Sequence, residues 1–172
     1  MNRKQGRSRP MTGKTAYDFD FLSLKGKPLP LADFAGHPLL IVNTASKCGF
    51  TRQYKELEAL WQKYRDDGLV VLGVPSNDFA NQEPGGAAEI ASFCETNFGV
   101  DFPLTEKVAV KGRAAHPLFQ WLAREGGFLS RPRWNFYKYV IGKDGKLVDW
   151  FASTTTPGSA KVERAIEKAV RG

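Results

Sequence analysis

Residues 39–74 read LLIVNTASKCGFTRQYKELEALWQKYRDDGLVVLGV and hold two apolar runs on either side of an amphipathic segment. The runs at 39–43 and 69–74 contain almost no polar side chain, which is typical of strands buried on both faces of a sheet. Between them, apolar residues recur every three or four positions from Thr51 to about Asp67, and Gly68 ends the predicted helix. A strand, a helix and a strand at this spacing predict a right-handed parallel unit.

The segments on either side of this unit extend the same pattern. Alternating residues at 17–24, followed by a turn at Gly26, predict an N-terminal β-hairpin. Apolar residues at helical spacing predict three more helices, over residues 87–97, 116–125 and 159–170. Residues 137–141 and 147–152 predict two strands joined by the turn GKDGK. This order describes an α/β domain with a mixed central sheet flanked by helices, which is the thioredoxin-like arrangement.

The chain has 172 residues, of which 42% are hydrophobic and 25% charged, as in one ordinary globular domain. We expect a single domain over residues 15–172. No run approaches the ~20 apolar residues of a membrane span, so no integral membrane segment is expected. Two cysteines, Cys48 and Cys94, are too few for a disulfide framework, and a domain of this size needs none. They are predicted to be chemically active or simply buried.

The net charge of +7 is concentrated at the N-terminus. Residues 1–14 hold five of the 25 basic residues and no acidic one, which leaves 20 basic against 18 acidic residues in the remaining chain. We expect this basic tail to be disordered, and we do not expect a nucleic-acid-binding domain, which needs its basic excess on a folded face. The tail lacks the apolar region of a secretory signal. A reducing cytoplasm suits a cycling thiol pair, so a cytoplasmic location is expected, with a periplasmic one open if an export signal has been removed.

Cys48 lies between the first core strand and the helix that follows it. Open sheets of this kind place ligands and chemistry beyond the carboxyl ends of parallel strands. A thiol at a helix start faces unpaired N–H groups and the positive end of the helix dipole, which favour the thiolate, and Lys47 adds a cation. The alternative is a small core residue, because free cysteines are among the most buried residue types.

Three separated motifs favour a reactive Cys48 over a core residue. They are NTASKCGFT at 43–51, NQEPG at 81–85, and WNF at 134–136 followed by Lys138. In this order they closely resemble the glutathione peroxidase family, in which the position of Cys48 is a selenocysteine or a cysteine. The resemblance covers the chain from about residue 15 to 170, and it implies a thioredoxin-fold thiol peroxidase.

The resemblance implies a catalytic tetrad of Cys48, Gln82, Trp134 and Asn135. A thiolate that attacks one peroxide oxygen releases the other as hydroxide or alkoxide, so the site needs hydrogen-bond donors for both anions. An indole N–H and two carboxamide groups supply such donors without adding a titrating charge. Taken singly, these residues also fit purely structural roles: Gln82 can order a loop, Trp134 can pack in the core, and Asn135 can form a turn.

Cys94, in FCETNFG at 93–99, matches the resolving cysteine of the non-selenium, two-cysteine branch. A sulfenic acid at Cys48 condenses readily with a second thiol. The resemblance implies that the helix carrying Cys94 unwinds to allow this, and that thioredoxin, or alternatively glutathione, reduces the resulting disulfide. The alternative is a buried helical cysteine that packs beside Ile90 and Phe93.

The resemblance also bears on substrates and assembly. The stretch between His116 and Trp134 is short. By resemblance, tetrameric members of the family have a longer insertion here, which is similar to an oligomerisation loop. We therefore expect a monomer with an open site, which admits hydrogen peroxide as well as organic and lipid hydroperoxides.

Other functions fit the sequence less well. A dithiol oxidoreductase normally needs C-x-x-C, whereas residues 48–51 read CGFT. Cys48, Cys94, His37 and His116 have no spacing typical of a zinc site, so neither a metal nor a cofactor is expected. The alternative function is a peroxide sensor that passes its oxidation to a partner protein. In a sensor, as in a peroxidase, the first step is the oxidation of Cys48 by peroxide.

Overall fold

The computed structural model describes residues 14–172. Its strands are β1 (Asp20–Leu22), β2 (Pro28–Pro30), β3 (Leu39–Thr44), β4 (Val70–Pro75), β5 (Lys138–Ile141) and β6 (Leu147–Phe151). Its α-helices are α1 (Gln53–Tyr64), α2 (Ala87–Phe98), α3 (Pro117–Gly126) and α4 (Ala160–Arg171). The basic tail expected over residues 1–14 lies outside the described residues except for Lys14.

Four strands form the central sheet, in the order β4-β3-β5-β6. Strand β3 runs parallel to β4, with Leu39 opposite Val70, and antiparallel to β5, which forms an antiparallel hairpin with β6. Strands β1 and β2 form a separate antiparallel hairpin. The predicted mixed sheet and N-terminal hairpin are confirmed, although the hairpin strands are only three residues each.

Strand β3 is buried along its whole length because both faces of the sheet are covered. Leu39 and Ile41 point into one apolar cluster, which also contains residues of α3 and the N-terminal hairpin. Leu40 and Val42 point into the other, which contains residues of α1, α2 and α4. Successive side chains of a strand alternate between faces, so one apolar run supplies both cores.

The connection from β3 to β4 places the carboxyl ends of both strands at one edge of the sheet. Helix α1 continues as a 3-10 turn at Arg65–Asp67, and Gly68, with φ of 97°, ends it in the left-handed conformation that glycine accepts without strain. This confirms the predicted helix and its end. None of the helices within residues 14–172 has the length and apolar character that a membrane span requires.

Candidate active site

Cys48 lies in a bend between β3 and α1 that Thr51 holds in place. The Cys48 N–H donates to Thr51 Oγ1 at 2.9 Å, and Thr51 Oγ1 donates to the Ala45 carbonyl at 2.8 Å. The Thr51 N–H donates in turn to the Cys48 carbonyl at 3.1 Å. One buried hydroxyl therefore connects the end of β3 to the cysteine loop.

The Cys48 side chain is half-buried, and its sulfur receives one backbone hydrogen bond. The Phe50 N–H donates to Cys48 Sγ at 3.4 Å. The prediction that Cys48 lies at the start of a helix is wrong. Helix α1 begins only at Gln53, after a series of turn hydrogen bonds. The donor to the Cys48 sulfur is thus a turn amide, and the loop does not place Cys48 in the first turn of α1.

The Gln82 loop is attached to the Cys48 loop through the backbone. The Lys47 N–H donates to the Gln82 carbonyl at 3.0 Å. Ala80 and Asn81, immediately before Gln82, have φ of 54° and 52°, in the left-handed region. Such residues cost about 1–3 kcal/mol each and persist only where their surroundings hold them, often at functional sites.

The other side of the same loop is held by Asn77, Lys107 and a buried glutamate. The Glu83 N–H donates to Asn77 Oδ1 at 2.9 Å, while Lys107 Nζ donates to the carbonyls of Glu83 and Gly85 at 3.0 and 2.9 Å. Glu83 is 1% exposed, and burial raises the pKa of its carboxyl, with Ser46 and Lys107 opposing. Sequence reasoning gave none of these three residues a role.

Asn135 brings the WNF segment to Gln82. Its Nδ2 donates to Gln82 Oε1 at 2.9 Å, and its own carbonyl accepts from Ser153 Oγ at 2.5 Å. The Asn135 side chain is fully buried, and its Oδ1 accepts no hydrogen bond from the described residues. Two of the predicted site residues, far apart in sequence, are therefore in direct contact.

Trp134 is half-buried, and Asn43 fixes the backbone around it. Asn43 Nδ2 donates to the Trp134 carbonyl at 2.9 Å, and Asn43 Oδ1 accepts from the Tyr137 N–H at 2.9 Å. The Asn43 carbonyl accepts from the N–H of Phe136, whose φ is 64°. Asn43 was missed as a site residue, although a polar residue near the end of the buried run LLIVN was a visible signal.

A groove of about 950 Å³ runs beside Trp134. The Trp134 ring lies 5.9 Å from that of Phe79, centroid to centroid, and both rings line the groove. Its charged lining is entirely cationic and consists of Lys111, Arg113, Arg124, Arg131 and Arg133. The surface next to the WNF segment is thus both apolar and basic.

Cys94 lies on α2 and is 1% exposed, inside the apolar cluster that contains Ile90 and Tyr54. Burial raises the pKa of its thiol to about 11, with Tyr54 opposing the shift and Glu83 adding to it. Both cysteines are free thiols. Cys94 is therefore protonated at neutral pH, and α2 holds it inside the apolar cluster.

The remaining candidates from the sequence have structural partners. His37 Nδ1 lies 3.0 Å from the Gly68 carbonyl, and His116 Nε2 lies 2.7 Å from that of Asp20. Within residues 14–172, no group of three or more His, Cys, Asp or Glu side chains is arranged to hold a metal ion.

Comparison with known proteins identifies the family of this chain. A model of the glutathione peroxidase family matches residues 16–123, which is more than half of the chain and includes Cys48, Gln82 and Cys94. A glutathione peroxidase homolog of Halalkalibacterium halodurans is 49% identical over 154 residues, covering 88% of this chain and 97% of the relative. The chain belongs to the glutathione peroxidase family. It is thus a peroxide-reducing oxidoreductase.

Further relatives agree with membership of the glutathione peroxidase family. A hydroperoxy fatty acid reductase of Synechocystis is 46% identical over 162 residues, covering 88% of this chain and 96% of the relative. The crystal structure of Trgpx in apo form has a TM-score of 0.76 at 36% identity, over 94% of this chain and 98% of that one.

The fold is shared more widely than the family. A thioredoxin-family thiol:disulfide interchange protein from Chlorobium tepidum has a TM-score of 0.68 at 15% identity, over 96% of this chain and 99% of that one. This confirms the thioredoxin-like fold.

Proposed function

We propose that Cys48 is the peroxidatic nucleophile of this peroxidase and that Gln82, Trp134 and Asn135 complete its catalytic site. The hydrogen bond between Asn135 and Gln82 carries the proposal, because it joins two motifs at a loop whose backbone also bonds to Lys47, next to Cys48. Carboxamide, indole and turn N–H groups are suited to an anionic sulfur and a leaving oxygen.

The first step is a displacement at oxygen. The Cys48 thiolate attacks one peroxide oxygen, so a sulfur–oxygen bond forms as the oxygen–oxygen bond breaks. The second oxygen leaves as hydroxide or alkoxide and takes up a proton to become water or an alcohol. The cysteine is oxidised to a sulfenic acid, and the peroxide is reduced by two electrons.

In the second step, Cys94 resolves the sulfenic acid. Its sulfur attacks Cys48 Sγ, a disulfide forms, and the sulfenic oxygen leaves with the thiol proton as water. Because Cys94 is buried within α2, the helix must open before the two sulfurs can meet. Gly86 and Gly99 bound α2, and Gly99 has φ of 60°, so the opening segment is expected between them.

Thioredoxin is the proposed reductant, and glutathione is the alternative. An intramolecular disulfide between a loop and an unwound helix offers an exposed sulfur to a small dithiol protein, whereas glutathione must react in two successive steps. The proposal further includes a monomer in the cytoplasm, where thiol pairs are kept reduced.

The groove beside Trp134 favours, as substrate, a hydroperoxide that has both an apolar chain and an anionic group. Its rings offer apolar surface and its five cationic side chains attract a carboxylate, which is the chemistry of a hydroperoxy fatty acid. The Synechocystis relative, a hydroperoxy fatty acid reductase by name, fits the same substrate class.

The groove is tested with a fatty acid hydroperoxide and its methyl ester. In the double variant Arg113→Gln/Arg131→Gln, kcat/KM for the free acid should fall about five-fold, because two exposed charges are lost. The values for the methyl ester and for hydrogen peroxide should not change, and Lys146→Gln, an exposed control outside the groove, should behave like wild type. Equal losses for acid and ester would contradict the substrate proposal.

The two-cysteine mechanism is tested with thioredoxin and its reductase. Cys94→Ser should lose thioredoxin-supported turnover while Cys48 still reacts once with peroxide. Retained turnover in Cys94→Ser would contradict the role of Cys94. Slow reduction of an oxidised wild-type protein, with only one oxidation per molecule, would favour the sensor function over the peroxidase.

A further inference from the structure

Lys138 is the one lysine or arginine that is buried among residues 14–172. It lies at the start of β5, two positions after Phe136, and its residue is fully enclosed. A buried ammonium is costly unless nearby groups satisfy its hydrogen bonds. The reaction steps described above give this cation no role.

Three backbone carbonyls surround the amine. Lys138 Nζ donates to the Phe136 carbonyl at 2.7 Å and to the carbonyls of Ala152 and Ser153 at 3.3 Å each. An ammonium has three N–H donors, one for each of these acceptors, whereas a neutral amine has only two. The contacts therefore suit the charged form.

These carbonyls belong to the two segments that hold Asn135. Phe136 follows it directly and adopts the left-handed conformation. Ser153 lies just after β6, and its hydroxyl donates to the Asn135 carbonyl. The Ser153 carbonyl also accepts from Gln53 Nε2 at 2.7 Å, which connects this segment to α1. Lys138 thus joins both sides of the turn that carries Trp134 and Asn135.

We propose that Lys138 is a positioning residue for peroxide reduction: its ammonium holds the Trp134–Phe136 turn in the conformation that brings Asn135 to Gln82. The inference rests on the proposed roles of Trp134, Asn135 and Gln82. Lys138 acts through the backbone and does not touch the peroxide. Loss of one donor releases a carbonyl of the strained turn, and the catalytic donors then lose their alignment.

Burial also makes this contact sensitive to pH. It lowers the pKa of Lys138 to about 7, and the field of Glu56, on α1, opposes the shift. Glu56 is the charged group that faces the ammonium, and its own carboxylate accepts from the Gly158 N–H. Above neutral pH the amine has too few donors for its three carbonyls. The rate of thiolate oxidation should therefore decrease as pH rises, opposite to the effect of ionising Cys48.

The test compares Lys138→Met, which keeps the length of the side chain but has no donors, with Lys138→Arg, which keeps the cation. Lys146→Met, an exposed lysine in the β5–β6 turn, is the control. The rate constant for oxidation of reduced Cys48 by hydrogen peroxide is measured from pH 5.5 to 9.5 and divided by the independently titrated thiolate fraction.

At pH 6, Lys138→Met should be at least about ten-fold slower than wild type, since small displacements of catalytic groups have effects of this size. The rate constant of Lys138→Met, divided by its thiolate fraction, should no longer fall above neutral pH. Lys138→Arg should recover part of the rate at low pH, and Lys146→Met should match wild type. A wild-type rate and pH profile in Lys138→Met would overturn the inference.

If Lys138→Met does not fold, the wild-type profile decides, because a corrected rate that stays flat above pH 7 would also overturn the inference. Either result leaves the proposed function intact as long as oxidation still depends on Cys48. Oxidation that persists in Cys48→Ser would instead contradict the proposed function itself.

Discussion

The carboxamide of Asn135 donates a hydrogen bond to the carboxamide of Gln82 at 2.9 Å. The bond fixes the orientation of the Gln82 group, since its oxygen accepts from Asn135 and its amino group is left to donate elsewhere. Two motifs separated by about fifty residues of chain thereby act as one structural unit.

Removal of either carboxamide should slow the oxidation of Cys48. We expect Gln82→Ala and Asn135→Ala each to lower the rate constant with hydrogen peroxide by about a hundred-fold, the usual effect of losing one donor to a developing anion. The double variant should be little worse than either single one, because the two groups share a hydrogen bond. Stopped-flow measurements check this, with the exposed Gln62→Ala as control. Fully additive losses would show that the two groups act independently.

Asn43→Ala should impair both stability and activity. It leaves the Trp134 carbonyl and the Tyr137 N–H without their partners inside the protein, at about 1–3 kcal/mol each. Thermal and denaturant unfolding should show a loss of about 2–6 kcal/mol in the free energy of unfolding, and peroxide oxidation should slow at temperatures where the variant is folded. Asn97→Ala, at an exposed position on α2, should be near wild type in stability. A stable Asn43→Ala variant would contradict the role assigned to this side chain.

Opening of α2 should limit the reactivity of Cys94 in the reduced protein. At pH 7.5 we expect iodoacetamide to label Cys94 far more slowly than Cys48, because Cys94 is enclosed and burial raises its pKa to about 11. Gly99→Ala should destabilise the end of the helix by about 1 kcal/mol, since Gly99 is left-handed, and should raise the labelling rate of Cys94 about five-fold.

Peptide mass spectrometry measures both labelling rates. Gly36→Ala is the matched control, because Gly36 is also left-handed, with φ of 85°, but lies outside α2. Equal labelling of the two cysteines in the wild-type protein would contradict a closed α2.

The free energy of unfolding should rise with pH from about 7 towards the alkaline range. The pKa of Lys138 is about 7 in the folded protein and about 10.5 in an unfolded chain, so between these values the unfolded state binds more protons. The cost of the buried ammonium is fully present below pH 7, and it is relieved progressively as pH rises from about 7 to about 10.5. Urea titrations at several pH values should show the rise in wild type and a flatter profile in Lys138→Met. A parallel profile in the variant would assign the rise to other groups.

The sheet could be predicted from the sequence because its strands are unusually clear. The apolar runs at 39–43 and 69–74 each occupy a fully buried strand, and Gly68 ends the intervening helical segment as predicted. The helix start was less predictable, because local hydrogen bonds of Thr51 keep the Cys48 loop out of α1. Short turns of this kind leave no periodic pattern in a sequence.

Part of the site could also be predicted. Gln82 and Asn135 came from motif resemblance, and the structure places them in contact, but only three-dimensional packing shows which atoms meet. Asn43 and Lys138 were missed as site residues because both side chains bind backbone atoms, and only the folded structure shows which ones. Both are polar residues in buried strands. Such a position indicates that the side chain has a hydrogen-bond partner, but the sequence does not show which atom that partner is.

The central claim is that peroxide oxidises Cys48 and that Cys94 then forms a disulfide with it. The most direct measurement is peptide mass spectrometry of the reduced protein after one equivalent of hydrogen peroxide, with a sulfenic acid trap added for the Cys94→Ser variant. Wild type should yield a Cys48–Cys94 disulfide, and Cys94→Ser should yield a trapped sulfenic acid on Cys48 alone. Unmodified Cys48 after the peroxide has been consumed would contradict the account.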